Sequence, residues 1–144
     1  MRNISVILTP ELRMKKALKN AGIENPVFVT KLTVAGTLIE EDFEYIRYYM
    51  AETLQILDIS KASVEMNKLP DFAFDCCSGL TSILLPDSLT EIGSYAFADC
   101  YELMSIEVPN SVKKIGERAF HDSHNLVCIL SILTLFSVPT PANQ

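Results

Sequence analysis

The chain has 144 residues, of which 49% are hydrophobic and 21% are charged, and its net charge is −6. This length suits one domain, and the apolar content excludes a disordered chain. An acidic chain has no electrostatic attraction for a phosphate backbone, which argues against a nucleic-acid partner. The four cysteines are too few for a disulfide scaffold, and their spacings do not match a zinc site.

The first segment predicts a helix over residues 10–21 that caps the first repeat. Thr9, Pro10 and Glu11 fit an N-cap, a first helical position and a first-turn acid. An apolar stripe follows at helical spacing, and Gly22 supplies a stop. The stripe consists of Met14, Ala17, Leu18 and Ala21. The short apolar run before it, residues 4–8, lacks the length and the cleavage site of a signal peptide.

Most of the remaining chain repeats itself, with a 23-residue offset in its clearest part. The matched positions are Leu80, Ile83, Leu85, Pro86, Ile92, Gly93, Ala96, Phe97 and Asp99 with Leu103, Ile106, Val108, Pro109, Ile115, Gly116, Ala119, Phe120 and Asp122. Extended in both directions, the repeats start near residues 29, 54, 80, 103 and 126. We therefore predict a single domain, 1–144, with a cap at 1–27, repeats at 28–129 and an incomplete last coil or tail at 130–144.

The repeat that starts near residue 29 contains a longer helix, predicted over residues 41–52. Phe43, Ile46 and Met50 form its buried face. The acidic cluster at its start comprises Glu40, Glu41, Asp42 and Glu44. We interpret this cluster as a favourable helix start rather than a general acid-base pair.

Each later repeat predicts a short strand, a turn and a return segment. Ile106 and Val108 alternate as in a strand with one buried face, and Pro109 ends it. Gly116 is expected to relieve a tight bend, as is Gly93. Residues 94–99 and 117–122 are long enough for one helical or 3₁₀ turn that buries Phe97 and Phe120. The predicted fold is an α/β solenoid with parallel strands on one face and short helices or 3₁₀ turns on the other.

The pattern Leu-x-x-Ile-x-(Leu/Val)-Pro-x-Ser-(Leu/Val)-x-x-Ile-Gly-x-x-Ala-Phe-x-x-Cys, with Leu32-Thr-Val-Ala-Gly-Thr-Leu and Leu57-Asp-Ile-Ser before it, resembles the BspA-like leucine-rich repeats. The resemblance covers roughly residues 28–130. Members of that group are mostly secreted or bacterial surface proteins implicated in adhesion to host proteins. The resemblance implies a non-enzymatic interaction or adhesion module with a protein or glycan ligand. The alternative is a structural spacer, or a truncated remnant of a longer surface repeat protein, without a ligand of its own.

The candidate binding face is the concave side of the predicted strands, where the outward positions form two columns. The first contains Lys31, Ile56, Ser82, Ser105 and Cys128, and the second contains Thr33, Asp58, Leu84, Glu107 and Leu130. Solenoids commonly bind partners on such a surface, but an ordinary solvated face predicts the same pattern. The apolar residues within the columns favour contact with a partner.

Cysteines and histidines offer weaker hypotheses. Cys77 and Cys100 share a repeat position with Ser123, so we predict buried thiols, although a disulfide between adjacent coils is conceivable. Cys76 and Cys128 are expected to be more exposed. His121 and His124 lack further metal ligands and are interpreted as solvated loop residues. The sequence contains no catalytic signature, and we expect neither a metal nor a cofactor.

The C-terminal segment is apolar and carries no charge after Asp122. Its uncharged run of 13 residues, 126–138, is too short to span a bilayer as a helix. Residues 130–144 are predicted to expose an edge that promotes self-association, or to be disordered at their end. The alternative is that the segment folds back onto the last coil.

Overall fold

The computed structural model describes residues 2–130 and forms an α/β fold with parallel strands and few helices. The strands are β1 (Arg2–Leu8), β2 (Val29–Leu38), β3 (Ile56–Asp58), β4 (Ala62–Val64), β5 (Lys68–Leu69), β6 (Ser82–Leu84), β7 (Glu91–Ile92), β8 (Ser105–Glu107), β9 (Lys114–Ile115) and β10 (Cys128–Leu130). The α-helices are α1 (Met14–Asn20) and α2 (Glu40–Tyr49), and 3₁₀ helices span Pro26–Phe28 and Glu65–Asn67.

One strand begins each coil, by which we mean a strand together with the return segment that leads to the next strand. A parallel sheet has the order β1-β2-β3-β6, and β4 pairs with the end of β2. Strands β8 and β10 form a second parallel pair. A strand is thus present at each of the five repeat starts that the sequence indicates. The inward positions Leu32, Leu57 and Ile83 lie in register and are buried, because each strand turns one face toward the core.

A stack of four phenylalanine rings runs through the core, one ring from each successive coil. Phe97 lies 5.4 Å from Phe74 and 5.5 Å from Phe120, measured between ring centroids. Phe43 of α2 meets Phe74 edge-on at 5.5 Å. All four rings are fully buried, which confirms the predicted burial of Phe97 and Phe120. The predicted buried face of α2, Phe43, Ile46 and Met50, is also confirmed.

The return segments contain a further parallel sheet, β5-β7-β9, which the sequence analysis did not predict. Its outward side chains alternate in charge. The carboxylate of Glu91 lies 3.5 Å from the ammonium of Lys68 and 3.4 Å from that of Lys114. These side chains are partly exposed, so each pair contributes only about 0–1 kcal/mol, although the alternation fixes the register of neighbouring coils.

The predicted helical or 3₁₀ turns at residues 94–99 and 117–122 are wrong, because both segments form consecutive β-turns. In each turn segment two residues have left-handed backbone angles that interrupt a helix. They are Phe72 and Cys76, Tyr95 and Asp99, and Arg118 and Asp122. Alternate N–H groups bond to the next coil instead of within the segment. Phe74 donates to the carbonyl of Ala96 (2.7 Å), and Phe97 donates to that of Ala119 (2.7 Å).

The glycines of the return segments have a different role from the predicted relief of a bend. Gly93 and Gly116 do not adopt left-handed angles. A Cβ atom on Gly93 would lie 2.6 Å from the backbone nitrogen of Asp71, and one on Gly116 would lie 2.4 Å from that of Ser94. Glycine is therefore required because the backbones of adjacent coils approach too closely for any side chain.

The N-terminal segment contains strand β1, which the sequence analysis missed. Strand β1 pairs in parallel with β2 along its whole length and is the outermost strand of its sheet. Thr9 and Leu12 exchange backbone hydrogen bonds in a tight turn, so the helix begins at Met14 rather than near residue 10. Met14, Ala17 and Leu18 are buried as predicted, whereas Ala21 is exposed. Helix α1 is thus the return segment of a coil that β1 begins.

Candidate ligand-binding face

The outward side chains of the long sheet form two columns, as the sequence analysis predicted from strand spacing. Lys31, Ile56 and Ser82 are paired in register, and so are Thr33, Asp58 and Leu84. The β8–β10 pair aligns Ser105 with Cys128 and Glu107 with Leu130. The side chains of Cys128 and Leu130 lie outside the described part of the structure. We call the outward side chains of β1, β2, β3, β6 and β8 the strand face.

From β2 to β8, exposure of the strand face increases toward the C-terminal coils. Lys31, Thr33, Ile56, Asp58 and Ser82 are half-buried. Ser105 and Glu107 are exposed, and Leu84 keeps 48% of its side chain accessible. Ile56 and Leu84 lie on adjacent strands in adjacent columns, so the face combines apolar and polar contacts.

Asp58 is the most constrained carboxylate of this face. Ser60 donates two hydrogen bonds to it, from its hydroxyl (2.6 Å) and its backbone N–H (3.0 Å). These bonds lower the pKa of Asp58 below its ordinary value, and the nearby ammonium groups of Lys31 and Lys61 act in the same direction. The carboxylate is therefore a fixed negative charge beside Lys31.

Strand β1 lengthens both columns by one residue that the sequence analysis missed. Asn3 pairs with Lys31, and Ser5 pairs with Thr33. Both side chains are exposed, while Val6 and Leu8 are buried. The alternation of Asn3, Ser5 and Ile7 with inward apolar residues was the available signal, but it is only seven residues long.

Two cysteines occupy the same position in adjacent coils, and both thiols are buried and free. Cys77 and Cys100 are buried, as predicted, and both are free cysteines in the described part of the chain. Burial raises the pKa of Cys77 to about 12 and raises that of Cys100 further, so neither is a nucleophile. The thiol of Cys100 donates to the carbonyl of Phe74 (3.2 Å), and Ser123 donates to that of Phe97 (2.6 Å). The position therefore holds a small donor to the previous coil.

The two histidines do not form a common site. His121 is half-buried, with Nε2 3.2 Å from the carboxylate of Asp122, and its ring meets Tyr95 edge-on. His124 is exposed and stacks on Tyr101, with 6.2 Å between the ring centroids. The segment between them is a turn rather than a helix, so the three-residue spacing does not place both imidazoles on one face.

Cys76 is exposed, as predicted, and lies between Asp75 and Asp99. The thiol lies 3.7 Å from the first carboxylate and 3.9 Å from the second. Partial burial and the two negative charges raise the pKa of Cys76 above its ordinary value. The thiol therefore stays protonated at neutral pH, which makes it a poor nucleophile.

The four acidic residues at the start of α2 differ in burial and in role. Asp42 is fully buried, and its carboxylate lies 2.7 Å from the guanidinium of Arg13. It also accepts hydrogen bonds from the backbone N–H groups of Met14 (3.1 Å) and Ile39 (3.0 Å). One side chain thus caps both α1 and α2, which the sequence pattern did not indicate. Glu40, Glu41 and Glu44 are exposed.

Two surface clefts lie beside α2, with volumes of about 280 and 220 Å³. Both are smaller than the roughly 300–1,000 Å³ of typical small-molecule sites. Among residues 2–130, no helix is long and apolar enough to cross a membrane. The predicted association through residues 130–144 concerns a segment outside the described residues, apart from the backbone of Leu130.

Stacked coils of this length, with parallel strands and an aligned outward face, define the leucine-rich repeat class of proteins. A family model for the BspA type leucine rich repeat region matches residues 19–134 with six copies. The chain therefore belongs to the BspA-type leucine-rich repeat family, as its sequence indicated. No curated protein matches the chain in sequence.

Two solved structures have a similar fold. A leucine-rich cell surface protein from Faecalibacterium prausnitzii A2-165 is 27% identical, with a TM-score of 0.51 over 70% of this chain and 23% of that one. A leucine-rich repeat protein from Bacteroides ovatus ATCC 8483 is 20% identical, with a TM-score of 0.51 over 87% of this chain and 30% of that one. The chain thus spans less than a third of either protein's length.

Proposed function

We propose that the chain is part of a solenoid that binds a protein or glycan ligand through its strand face. The observation that carries this proposal is the register of the two columns. Pairing aligns outward side chains across β1, β2, β3 and β6 and, in a second sheet, across β8 and β10. Family membership supports an interaction module, since stacked repeats commonly bind partners on such a surface. The single-domain organisation over residues 1–144 is part of the same proposal.

The chemistry of the strand face favours a ligand with both apolar and polar groups. Leu84 and Ile56 offer apolar contact, whereas Lys31, Asp58 and Glu107 offer charges of both signs. Asp58 is held in place by Ser60 before a ligand arrives, which reduces the ordering cost of a polar contact. A mixed surface of this kind is typical of non-obligate protein interfaces.

A binding screen against host matrix proteins and glycans tests the proposal, followed by substitutions on the face. We expect Leu84→Asp to weaken binding about tenfold or more, and Glu107→Lys to change the salt dependence of binding. The matched control is Phe72→Asp. Phe72 is 46% exposed, nearly as much as Leu84, but it lies in a turn segment and not on the strand face. Binding that responds equally to both substitutions would contradict a site on the strand face.

A surface location and an adhesive role belong to the proposal as well. The similar protein from F. prausnitzii is a cell surface protein, and the sequence pattern is that of surface repeats. Antibody labelling of intact cells of the source organism, compared with permeabilised cells, tests this location. Labelling that requires permeabilisation would contradict it.

The second candidate function is a structural spacer within a longer surface protein. The hydrogen bonds between successive coils favour it, because they hold the coils at a fixed spacing. In that case no ligand depends on Leu84, and the coils serve to set a distance. An enzyme is the third candidate, and substrate turnover that depends on His121 would support it.

A further inference from the structure

Helix α2 has an exposed face made of tyrosines and glutamates. Glu41, Glu44, Tyr45, Tyr48 and Tyr49 recur at spacings of three and four residues, which places them on one side of the helix. Tyr48 is 82% exposed and Tyr49 is 56% exposed. Two large aromatic side chains are therefore held in solvent on a helix whose opposite face already supplies the core.

These side chains line the smaller cleft, of about 220 Å³, between α1 and α2. The ring centroids of Tyr45 and Tyr49 lie 4.7 Å apart, and those of Tyr48 and Tyr49 lie 6.4 Å apart. Burial raises the pKa of Tyr45, so its phenol is neutral at physiological pH. The cleft offers neutral aromatic faces in a space that suits one side chain rather than a small-molecule ligand.

The charge of the cleft is negative. Glu41 and Glu44 are exposed and take part in no ion pair within the described residues. The carboxylate of Asp42 is already paired with Arg13 at the base of the cleft. Lys15 is the one cation among the lining residues, so the lining carries two free carboxylates and one ammonium group.

We propose that the cleft between α1 and α2 binds the guanidinium group of an arginine from a partner polypeptide. A guanidinium is planar and weakly hydrated, so it stacks on tyrosine faces while its N–H groups donate to carboxylates. The tyrosine faces and the two free glutamates complement both properties. This site is separate from the strand face and does not depend on the function proposed above.

A pair of short peptides tests the proposal with the intact chain. One peptide, Ac-Gly-Ser-Arg-Gly-Ser-NH₂, contains arginine, and the other contains citrulline, which keeps the planar shape but has no charge. The chain has no tryptophan and five tyrosines, so its intrinsic fluorescence reports mainly on tyrosines, three of which line the cleft. We expect a fluorescence change that saturates with the arginine peptide, is at least fivefold weaker with citrulline, and is reduced by salt.

Substitutions locate the site. Tyr48→Leu keeps an apolar side chain but removes the ring, and we expect about two- to fivefold weaker binding from the lost cation–π contact. The double substitution Glu41→Gln and Glu44→Gln preserves size and should weaken binding about tenfold at low salt. Tyr101→Leu and Glu102→Gln remove an exposed tyrosine and glutamate outside the cleft and should leave binding unchanged. Circular dichroism confirms that each variant folds.

Each remaining outcome decides against the proposal. Equal binding of the two peptides, or binding that survives the cleft substitutions, would overturn it. Loss of peptide binding on Leu84→Asp would place the peptide on the strand face and would also overturn it. Absence of any fluorescence change or chemical shift change in the tyrosine signals at millimolar arginine peptide would do the same. Apart from the Leu84→Asp result, which would assign the peptide to the strand face, these outcomes do not bear on the ligand proposed there.

Discussion

The N-terminal coils and the C-terminal coils have similar strands but return by different means. In the first region, residues 2–55, the chain returns through α1 and α2, whose backbone groups bond within each helix. In the second, residues 69–126, it returns through turn segments whose alternate N–H groups bond to the next coil. The return segments of the helical coils therefore contact each other through side chains. Those of the turn coils are connected by backbone hydrogen bonds.

The junction between the two regions shows what this difference requires. The first turn segment, around Phe72 and Ala73, has no turn segment before it. No preceding turn segment therefore donates backbone N–H groups to its carbonyls. Arg47 of α2 donates to the carbonyl of Phe72 (2.8 Å) and, at 3.4 Å, to that of Ala73. The carbonyl of Ala73 is the counterpart of that of Ala96, which accepts the N–H of Phe74 from the preceding coil, so Arg47 supplies one donor that a preceding turn coil would give. The carbonyl of Phe72 also accepts a turn hydrogen bond from the N–H of Asp75.

The largest effect is expected where the turn coils depend most on shared packing. Phe97→Ala should lower the free energy of unfolding by about 3–5 kcal/mol, because Phe97 is fully buried and contacts phenylalanines on both sides. Urea denaturation followed by circular dichroism measures the loss. Phe72→Ala, at a half-exposed position of the preceding turn segment, is the control and should cost less than half as much. A Phe97→Ala loss as small as that of the control would contradict a shared core.

The helical coils should instead fail at their one buried ion pair. Asp42→Ala leaves Arg13 without its carboxylate and two N–H groups without an acceptor, so we expect a loss of about 3 kcal/mol. Hydrogen exchange should show faster exchange in α1 and at the start of α2, with the turn coils less affected. Glu44→Gln, on the exposed face of the same helix, should leave exchange unchanged. Uniform loss of protection along the chain would mean that the two regions unfold as one unit.

A third test separates close approach from backbone strain. Gly93→Ala should cost about 2–3 kcal/mol, because the new Cβ would meet the backbone of the preceding coil at 2.6 Å. Gly22 ends α1 with φ +86° and open space around it, so Gly22→Ala costs only the strain of a left-handed angle, about 1 kcal/mol. Asparagine tolerates that angle. Gly22→Asn should therefore recover most of the loss measured by thermal unfolding, whereas Gly93→Asn should not.

The smallest effect is expected at the repeated thiol position. Cys100→Ser should change the stability by less than about 1 kcal/mol, because Ser123 already makes the equivalent hydrogen bond to the carbonyl of Phe97. Cys100→Val removes the donor to the carbonyl of Phe74 and should cost about 1–3 kcal/mol. Chemical denaturation of both variants gives the comparison. A serine variant as unstable as the valine variant would show that the position requires sulfur rather than a donor.

The turn coils were the more predictable region, because their signal is repeated. Leucine, isoleucine and phenylalanine positions recur every 23 residues, and the structure places them in one core. The conformation of the return segment was predicted incorrectly, because the residues around Ala96-Phe97 show neither helical nor strand periodicity. Its conformation depends on hydrogen bonds to the next coil, such as that from Tyr95 to Glu117. A contact between residues 22 positions apart leaves no local pattern.

The helical region was predicted only in part, because its sequence signals are local and are not repeated. Amphipathic spacing identified α2 and the apolar stripe of α1, since helices bond locally. Strand β1 was missed because one alternating segment is a weak signal without a second copy. Asp42 was assigned to a helix start, but its partner Arg13 is 29 residues away, and no sequence spacing indicates that contact. The strand columns were predicted because parallel pairing preserves register, whereas their ligand depends on a partner outside the sequence.

The hydrogen bonds between turn segments also give the stack a direction. Phe72, Phe74 and Cys76 donate to the coil that follows, and so do Tyr95, Phe97 and Asp99. These N–H groups point the same way along the stack, whereas those of Gly93 and Gly116, just before the turns, donate to the preceding coil. Each turn coil therefore presents a fixed order of N–H donors and carbonyl acceptors to the coil that follows. An additional turn coil, whether gained by gene duplication or supplied by another chain, can therefore join only in the orientation of its neighbours.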